Sequence, residues 1–222
     1  MGKEVSLGLL SSASGGRAAV ALVIDGEIKE SRLCGTGRRA SEELLPTVDE
    51  LLKDNDLIPS QITAIAASRG PGSFTGIRVG LATMMGLCRA TKAQPKAYST
   101  LWLMAFSAQK PGTIISLIPA GRGDIFVGTF EMTDGELTES KDPFILFKKE
   151  QGDFSFENAT VIVEKGWEVP DNFGEYIEVG TEECARLAAL MAGKSDGPTF
   201  PLEPLYLRRS WAEEAKESRE QR

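Results

Sequence analysis

One glycine-rich segment of this sequence, residues 69–76, comes nearest to a motif that could bind a phosphate or another anion. It lies between a predicted strand and a predicted helix, so its backbone amides could face an anion at the start of the helix. The residues of such a site would be Gly70, Gly72, Ser73 and Thr75. The segment lacks the Lys-Ser/Thr pair of a P-loop and misses the GxGxxG fingerprint by one residue. We therefore favour a structural interpretation, in which the glycines form a turn and Ser73 or Thr75 caps the helix.

Histidine is absent from the chain, which removes the commonest general base and metal ligand. Ser-His-Asp triads, Cys-His dyads and HExxH zinc sites are therefore excluded, whereas serine-lysine or carboxylate chemistry stays open. Cys34, Cys88 and Cys184 are far apart and form no CxxC pair, so we expect free thiols in a reducing compartment. We predict no catalytic residues and no metal site.

The composition is that of an ordinary globular protein. With 222 residues, 41 % of them hydrophobic, the chain can form one large domain or two smaller lobes. Its net charge of -7 argues against a general nucleic-acid binder, because phosphate binding depends on clusters of Lys and Arg. We expect RNA to be contacted only jointly with a more basic partner. Without a signal-peptide pattern or an apolar run of about 18 residues, we expect a cytoplasmic protein with no membrane association.

The elements that position the glycine segment follow an order typical of ribonuclease-H-like lobes. Three strands of a predicted antiparallel meander cover residues 5–10, 18–24 and 27–33. The last two strands are joined by an Asp-Gly turn. An amphipathic helix over residues 41–54, capped by Ser41, comes next. A buried strand over residues 62–67 then leads through the glycine segment into a helix that ends at about Ala90.

The second half of the sequence opens with a similar pattern. After a helix over residues 100–109, the predicted elements are strands over 113–118, 124–132, 136–139 and 160–163 and a helix over 182–191. Two halves that open alike indicate a duplication. We therefore predict an α/β fold of two ribonuclease-H-like lobes, residues 1–99 and residues 100–222, the second ending in a charged tail.

The helix after the glycine segment is apolar on nearly every side. One apolar stripe consists of Ile77, Leu81, Met84 and Cys88. The residues that widen it past half of the circumference are Val79, Ala82, Met85 and Gly86. Gly76 and Gly80 would allow another backbone to come close. Such a helix is either buried between the lobes of its own chain or covered by another protein.

We expect a partner to cover this helix. Together with the helix over residues 41–54, it would form a two-helix surface able to dock on a similar pair. The predicted contact residues are Leu44, Leu45, Val48, Leu52, Ile77, Arg78, Leu81, Ala82 and Met85. Burial between the lobes remains the alternative.

Three segments of the sequence resemble the TsaB (YeaZ) family. They are residues 70–82 around the glycine turn, residues 41–46 at the start of the first helix, and the late Pro204-Leu205-Tyr206-Leu207-Arg208-Arg209. The resemblance covers most of the chain and is poorest in the middle of the second half. The family supplies the non-catalytic subunit of the bacterial machinery that makes threonylcarbamoyladenosine in tRNA.

Several properties are implied by this resemblance. The fold would have two lobes of the actin/hexokinase/Hsp70 ATPase superfamily type. The chain would pair with the catalytic, metal-binding subunit TsaD through helices of the first lobe, and the P-loop ATPase TsaE would join that pair. A homodimer would use much the same surface, and tRNA would be contacted only through the complex.

Departures from the family pattern favour a scaffold over an enzyme. Leu10 stands where many members have an acid at the end of the first strand, and Ala40 stands where a helix often begins with histidine. The stretch Pro119-Ala120-Gly121 replaces the acid of the second lobe. Because hard cations need oxygen ligands, we expect no phosphoryl transfer by this chain alone, and ATP at most through the assembled complex.

Two alternatives to a scaffold follow from the same residues. One is an ATP- or anion-binding protein of the same fold with weak ATPase activity, which would use the glycine turn. The other is a peptidase, which the missing histidines disfavour. The sequence does not decide between homodimer and heterodimer, the stoichiometry of a complex, or the role of the charged tail over residues 213–222.

Overall fold

The first half of the chain forms a five-stranded sheet. The structure, a computed structural model, describes residues 2–11, 16–36, 38–170, 173–194, 198 and 200–208. The first sheet consists of β1 (Val5–Ser11), β2 (Arg17–Ile24), β3 (Glu27–Thr36), β4 (Ala64–Gly70) and β5 (Gln94–Ser99). Its strand order is β3-β2-β1-β4-β5, with an antiparallel meander followed by two strands parallel to β1.

The second half repeats this topology. Its strands are β6 (Gly112–Gly121), β7 (Asp124–Thr133), β8 (Glu136–Leu146), β9 (Thr160–Glu164) and β10 (Ile177–Val179). Read from the β8 edge, they lie in the order β8-β7-β6-β9-β10. This is the order of the first sheet, with β6, β7, β8, β9 and β10 in the places of β1, β2, β3, β4 and β5. The predicted α/β fold of two ribonuclease-H-like lobes is confirmed, and this is the architecture of the actin/hexokinase/Hsp70 superfamily.

Four α-helices cover the sheets in the part of the chain that the structure describes. They are α1 (Arg38–Asp54), α2 (Phe74–Thr91), α3 (Thr100–Ser107) and α4 (Thr181–Ala192), and short 3-10 helices lie at Pro59–Gln61 and Lys148–Asp153. Alternate residues of the first sheet point to opposite faces. Leu7 and Leu9 share a core with α1 and α2, whereas Leu10, Ala19 and Ala21 share one with α3 and α4.

Helix α4, from the second half of the chain, therefore packs on the first sheet. Ser6 Oγ donates a hydrogen bond to the carbonyl of Ala189 at 2.8 Å. Gly8 has no room for a side chain, because a Cβ there would lie 2.0 Å from the carbonyl oxygen of Ala185. The boundary predicted between residues 99 and 100 falls where β5 ends and α3 begins. Buried residues from both halves of the chain belong to one hydrophobic core.

Several predicted elements need correction. Helix α1 begins at Arg38, so Ser41 lies inside it and is not its cap; Ala40 is already helical and buried. Strand β8 extends from Glu136 to Leu146 instead of ending at residue 139. Strands β5 and β10, both at sheet edges, were not predicted.

No helix in the described part of the chain is long and apolar enough to cross a membrane. The predicted charged tail over residues 213–222 lies outside the described residues.

Candidate functional site

The glycine segment forms the turn between β4 and α2. Ser73 caps α2, since its Oγ accepts a hydrogen bond from the backbone N–H of Gly76 at 3.3 Å, as the structural interpretation predicted. Gly70 has a φ of +106°, and a Cβ there would lie 2.8 Å from the carbonyl oxygen of Leu205. The turn therefore requires glycine for backbone geometry and for contact with a distant segment of its own chain.

Gly76 and Gly80 of α2 have different surroundings. A Cβ on Gly76 would lie 2.8 Å from the side chain of Ser11 at the end of β1, so this position does bring α2 close to another element. Gly80 has open space around it in this chain, so the close approach of a partner's backbone at this position stays a prediction. The proposal that the turn binds an anion stays a prediction.

One side of α2 is buried in the first lobe. Its four buried residues, the ones predicted to form an apolar stripe, are Ile77, Leu81, Met84 and Cys88. Other parts of the helix surface are exposed, and Met85, which follows the buried Met84, has 46 % of its surface accessible. The alternative that α2 is wholly buried between the lobes is wrong, because the second lobe contacts the other face of the sheet through α4.

The nine predicted contact residues divide into two groups. Five are buried in the core of the first lobe, with at most 6 % of their surface exposed in this chain: Leu44, Val48, Leu52, Ile77 and Leu81. For these five, exposure to a partner was the wrong expectation, because the hydrophobic stripe is already satisfied by the sheet. The other four are exposed, and we refer to them together as the exposed helix face: Leu45, Arg78, Ala82 and Met85.

Charges are segregated between the two helices that carry this face. Helix α2 has Arg78 and Arg89 and no acidic residue. Helix α1 has more acidic than basic residues, and its Asp49 pairs with Lys53 at 2.6 Å across one helical turn. The four residues of the exposed helix face thus lie on two helices of opposite charge balance, α2 being basic and α1 being acidic.

A late segment that we call the C-terminal strap, residues 203–208, lies against the glycine turn. The backbone N–H of Leu205 donates to the carbonyl of Arg69 at 2.7 Å, and Arg69 Nε donates to the carbonyl of Glu203 at 2.9 Å. The ring of Tyr206 stacks on Phe74, the first residue of α2, with centroids 4.0 Å apart. The strap therefore packs beside the start of the exposed helix face.

The other end of the strap is attached to the second lobe. Arg208 forms an ion pair with Asp124 and donates to the carbonyl of Ala120 at 3.0 Å, both at the turn between β6 and β7. The backbone N–H of Lys148, together with Arg208, holds the pKa of the Asp124 carboxyl below its usual value. Sequence reasoning assigned no role to Tyr206, Asp124 or Arg208, although the motif at residues 204–209 was noted.

The positions at which the family resemblance implies a magnesium ion carry no oxygen ligand in this chain. Leu10 and Ala40 are buried and apolar, and they line a cleft of about 560 Å³ between the ends of β1 and β2 and the first turns of α1 and α2. Between the lobes, a space lined by Ser11, Met104 and Thr181 holds only about 10 Å³. Within the described ranges, no cluster of three or more His, Cys, Asp or Glu could bind a metal.

Comparison with known proteins gives consistent matches. A family model described as TsaD, tRNA N6-adenosine threonylcarbamoyltransferase, matches residues 35–152. The tRNA threonylcarbamoyladenosine biosynthesis protein TsaB of Escherichia coli K12 is 30 % identical over 217 residues, which cover 87 % of this chain and 91 % of that protein. TsaB of Bacillus subtilis is 30 % identical over 100 residues, which cover 45 % of this chain and 44 % of that protein.

Solved structures support the fold. YeaZ from Pseudomonas aeruginosa superposes with a TM-score of 0.72 at 24 % identity and covers 92 % of this chain and 100 % of its own. Component A of (R)-2-hydroxyglutaryl-CoA dehydratase from Acidaminococcus fermentans has a TM-score of 0.52 at 14 % identity, over 86 % of this chain and 98 % of its own. On the extent and identity of the Escherichia coli match, the chain belongs to the TsaB (YeaZ) family.

Proposed function

We propose that this chain is a non-catalytic subunit that binds a TsaD-type threonylcarbamoyltransferase through the exposed helix face and so supports threonylcarbamoyladenosine modification of tRNA in the cytoplasm. The observation that carries the proposal is the exposure of Leu45 and Met85, at 52 % and 46 %, on helices whose buried sides already fill the core. Large apolar side chains that adjoin on a protein surface are typical of an interface with another protein, and we propose that Leu45 and Met85 belong to such a patch.

The kind of partner follows from the helix pair. The matched TsaD model spans residues 35–152, a range that contains both α1 and α2, and this supports a partner with a similar pair of helices. When two such pairs meet across a two-fold axis, the basic helix of one can face the acidic helix of the other. The same complementarity permits a homodimer, which would compete with the heterodimer for the exposed helix face.

A supporting role fits the chain better than catalysis. Leu10 and Ala40 place apolar groups where the superfamily would bind magnesium, so no phosphoryl transfer is assigned to this chain. We propose that ATP is handled by a TsaE-type ATPase that joins the pair. We also propose that tRNA is contacted through the complex, since the net charge of -7 disfavours direct binding.

Co-purification with the TsaD-type subunit of the same organism tests the proposal. We expect the wild-type chain to co-elute with it and Met85→Glu to lose the complex, because a buried, unpaired carboxylate in an interface is costly. Ile28→Glu is the matched control, since Ile28 is 45 % exposed but lies on β3, away from α2. Retention of the complex by Met85→Glu, with both variants folded by circular dichroism, would refute the assignment of the face.

A further inference from the structure

Arg78, at the start of the exposed helix face, is held in place by the C-terminal strap. Its guanidinium lies over the ring of Phe74, 4.4 Å from the centroid, and 5.6 Å from the centroid of Tyr206. Its Nε donates a hydrogen bond to the Tyr206 hydroxyl at 2.9 Å. An exposed arginine normally samples many rotamers, so these three contacts give this guanidinium an unusually fixed position.

The same guanidinium has no acidic partner among the residues that the structure describes. Its one hydrogen bond there uses Nε, which leaves both Nη groups to water or to a ligand. A guanidinium presents its donors as a planar fork that matches a carboxylate or a phosphate. A fixed and unpaired fork on the surface of an acidic protein is therefore suited to recognising an anionic group.

The surroundings of Arg78 favour a carboxylate on a protein. Ala82 and Met85 lie four and seven residues further along α2, on the same side of the helix. Arg78 thus lies on the same side of α2 as two apolar residues, while its guanidinium extends toward Phe74 at the start of the helix. A charged residue next to apolar ones is the arrangement of a polar rim beside the centre of a protein interface. A phosphate of RNA is disfavoured because the chain carries a net charge of -7.

We infer that Tyr206 of the C-terminal strap, with Phe74, positions Arg78 to bind a carboxylate of the TsaD-type partner. This inference rests on the proposed function and adds to it a chemical group on the partner and a role for the strap. Tyr206 is a positioning residue: by fixing the guanidinium before binding, it removes part of the entropy cost of ordering a long side chain. The attachment of Arg208 to Asp124 anchors the strap to the second lobe.

A double-mutant cycle measured by calorimetry with the TsaD-type subunit tests this role. We expect Arg78→Lys, which keeps the charge and loses the fork, to weaken binding by about tenfold. Tyr206→Phe keeps the stacked ring and loses the acceptor, and we expect it to weaken binding by about threefold. In the Arg78→Lys background, Tyr206→Phe should have no further effect. Tyr176→Phe, at another exposed tyrosine, is the control.

Each other outcome overturns a distinct part of the inference. If Tyr206→Phe weakens binding equally in both backgrounds, its effect does not pass through Arg78. If both single variants bind as the wild type does, Arg78 binds no carboxylate in the complex. If Arg78→Lys alters binding to tRNA alone and spares the protein partner, the ligand is a phosphate. If the wild-type chain does not bind the subunit, the proposed function itself fails and the inference falls with it.

A nuclear magnetic resonance measurement on the isolated chain checks the positioning step separately. The Nε–Hε signal of Arg78 should exchange slowly with water in the wild type, because its donor is engaged by Tyr206. Tyr206→Phe should make that signal exchange at least as fast as that of Arg89. Equal exchange in the wild type and the variant would overturn the positioning role.

Discussion

Replacing Leu81 and Met85 with alanine, one at a time, distinguishes what the buried and exposed sides of α2 contribute to stability and to binding. The two residues lie about one turn apart, but Leu81 is 6 % exposed and Met85 is 46 % exposed. Removal of a buried leucine side chain lowers the free energy of unfolding by about 2–5 kcal/mol. For a protein of this length, about 3 kcal/mol corresponds to a fall in Tm of roughly 6–12 °C. Met85→Ala should change that free energy by no more than about 0.5 kcal/mol.

Binding to a TsaD-type subunit should respond in the opposite way. Met85→Ala should weaken it by about tenfold, the effect of losing a contact worth about 1.4 kcal/mol. Leu81→Ala should leave the Kd unchanged at a temperature where the variant is folded, since Leu81 packs only within the lobe. Thermal unfolding and calorimetry on the same preparations measure both quantities. An equal loss of Tm in the two variants would refute the reasoning, because Met85 would then be covered within its own chain.

Three further predictions concern packing and ionisation. Gly8→Ala should lower the free energy of unfolding in urea by about 3 kcal/mol, because its Cβ would meet α4 at 2.0 Å; Gly86→Ala, which has open space, should raise it by about 0.5–1 kcal/mol. The depressed pKa of Asp124 stabilises the fold above pH 3.8, and this contribution is lost as the pH falls through the folded pKa. Asp124→Asn should therefore cost stability at pH 7, and its difference from the wild type should shrink below pH 4. Burial raises the pKa of all three thiols, that of Cys88 to about 11, so a thiol reagent at pH 8 should label them only after unfolding.

The central strands were predictable because their residues are buried on both faces. Strand β1 is buried at six of its seven positions, and four of its residues are valine or leucine. Strand β5 was missed because its first three residues, Gln94, Pro95 and Lys96, are polar or partly exposed at the edge of the sheet. Strand β10 is only three residues long, too short for any periodicity to appear.

The contact residues were only partly predictable, because hydrophobic periodicity identifies side chains that avoid water without identifying what covers them. Leu44, Val48 and Leu81 follow the helical period because they pack on the first sheet. Leu45 and Met85 lie off that stripe, and their exposure appears only when the fold is known. Apolar residues outside the main stripe are the signal that points to a partner.

The role of the C-terminal strap could not be read from local sequence. Tyr206 and Arg78 are 128 positions apart, and their hydrogen bond exists only because the folded chain brings residues 203–208 back to α2. The motif at residues 204–209 was noticeable through the family resemblance. The contacts that this motif makes could be identified only from the tertiary structure.

Light scattering tests most directly the claim that the exposed helix face binds a TsaD-type subunit. The measurement is the solution mass of the chain mixed with that subunit from the same organism, for the wild type and for Met85→Glu. We predict that the wild-type mixture contains a species whose mass includes both subunits, and that the Met85→Glu mixture contains only the separate proteins. A wild-type mixture with no joint species, or a joint species that persists in Met85→Glu, would contradict the claim that the exposed helix face binds this partner.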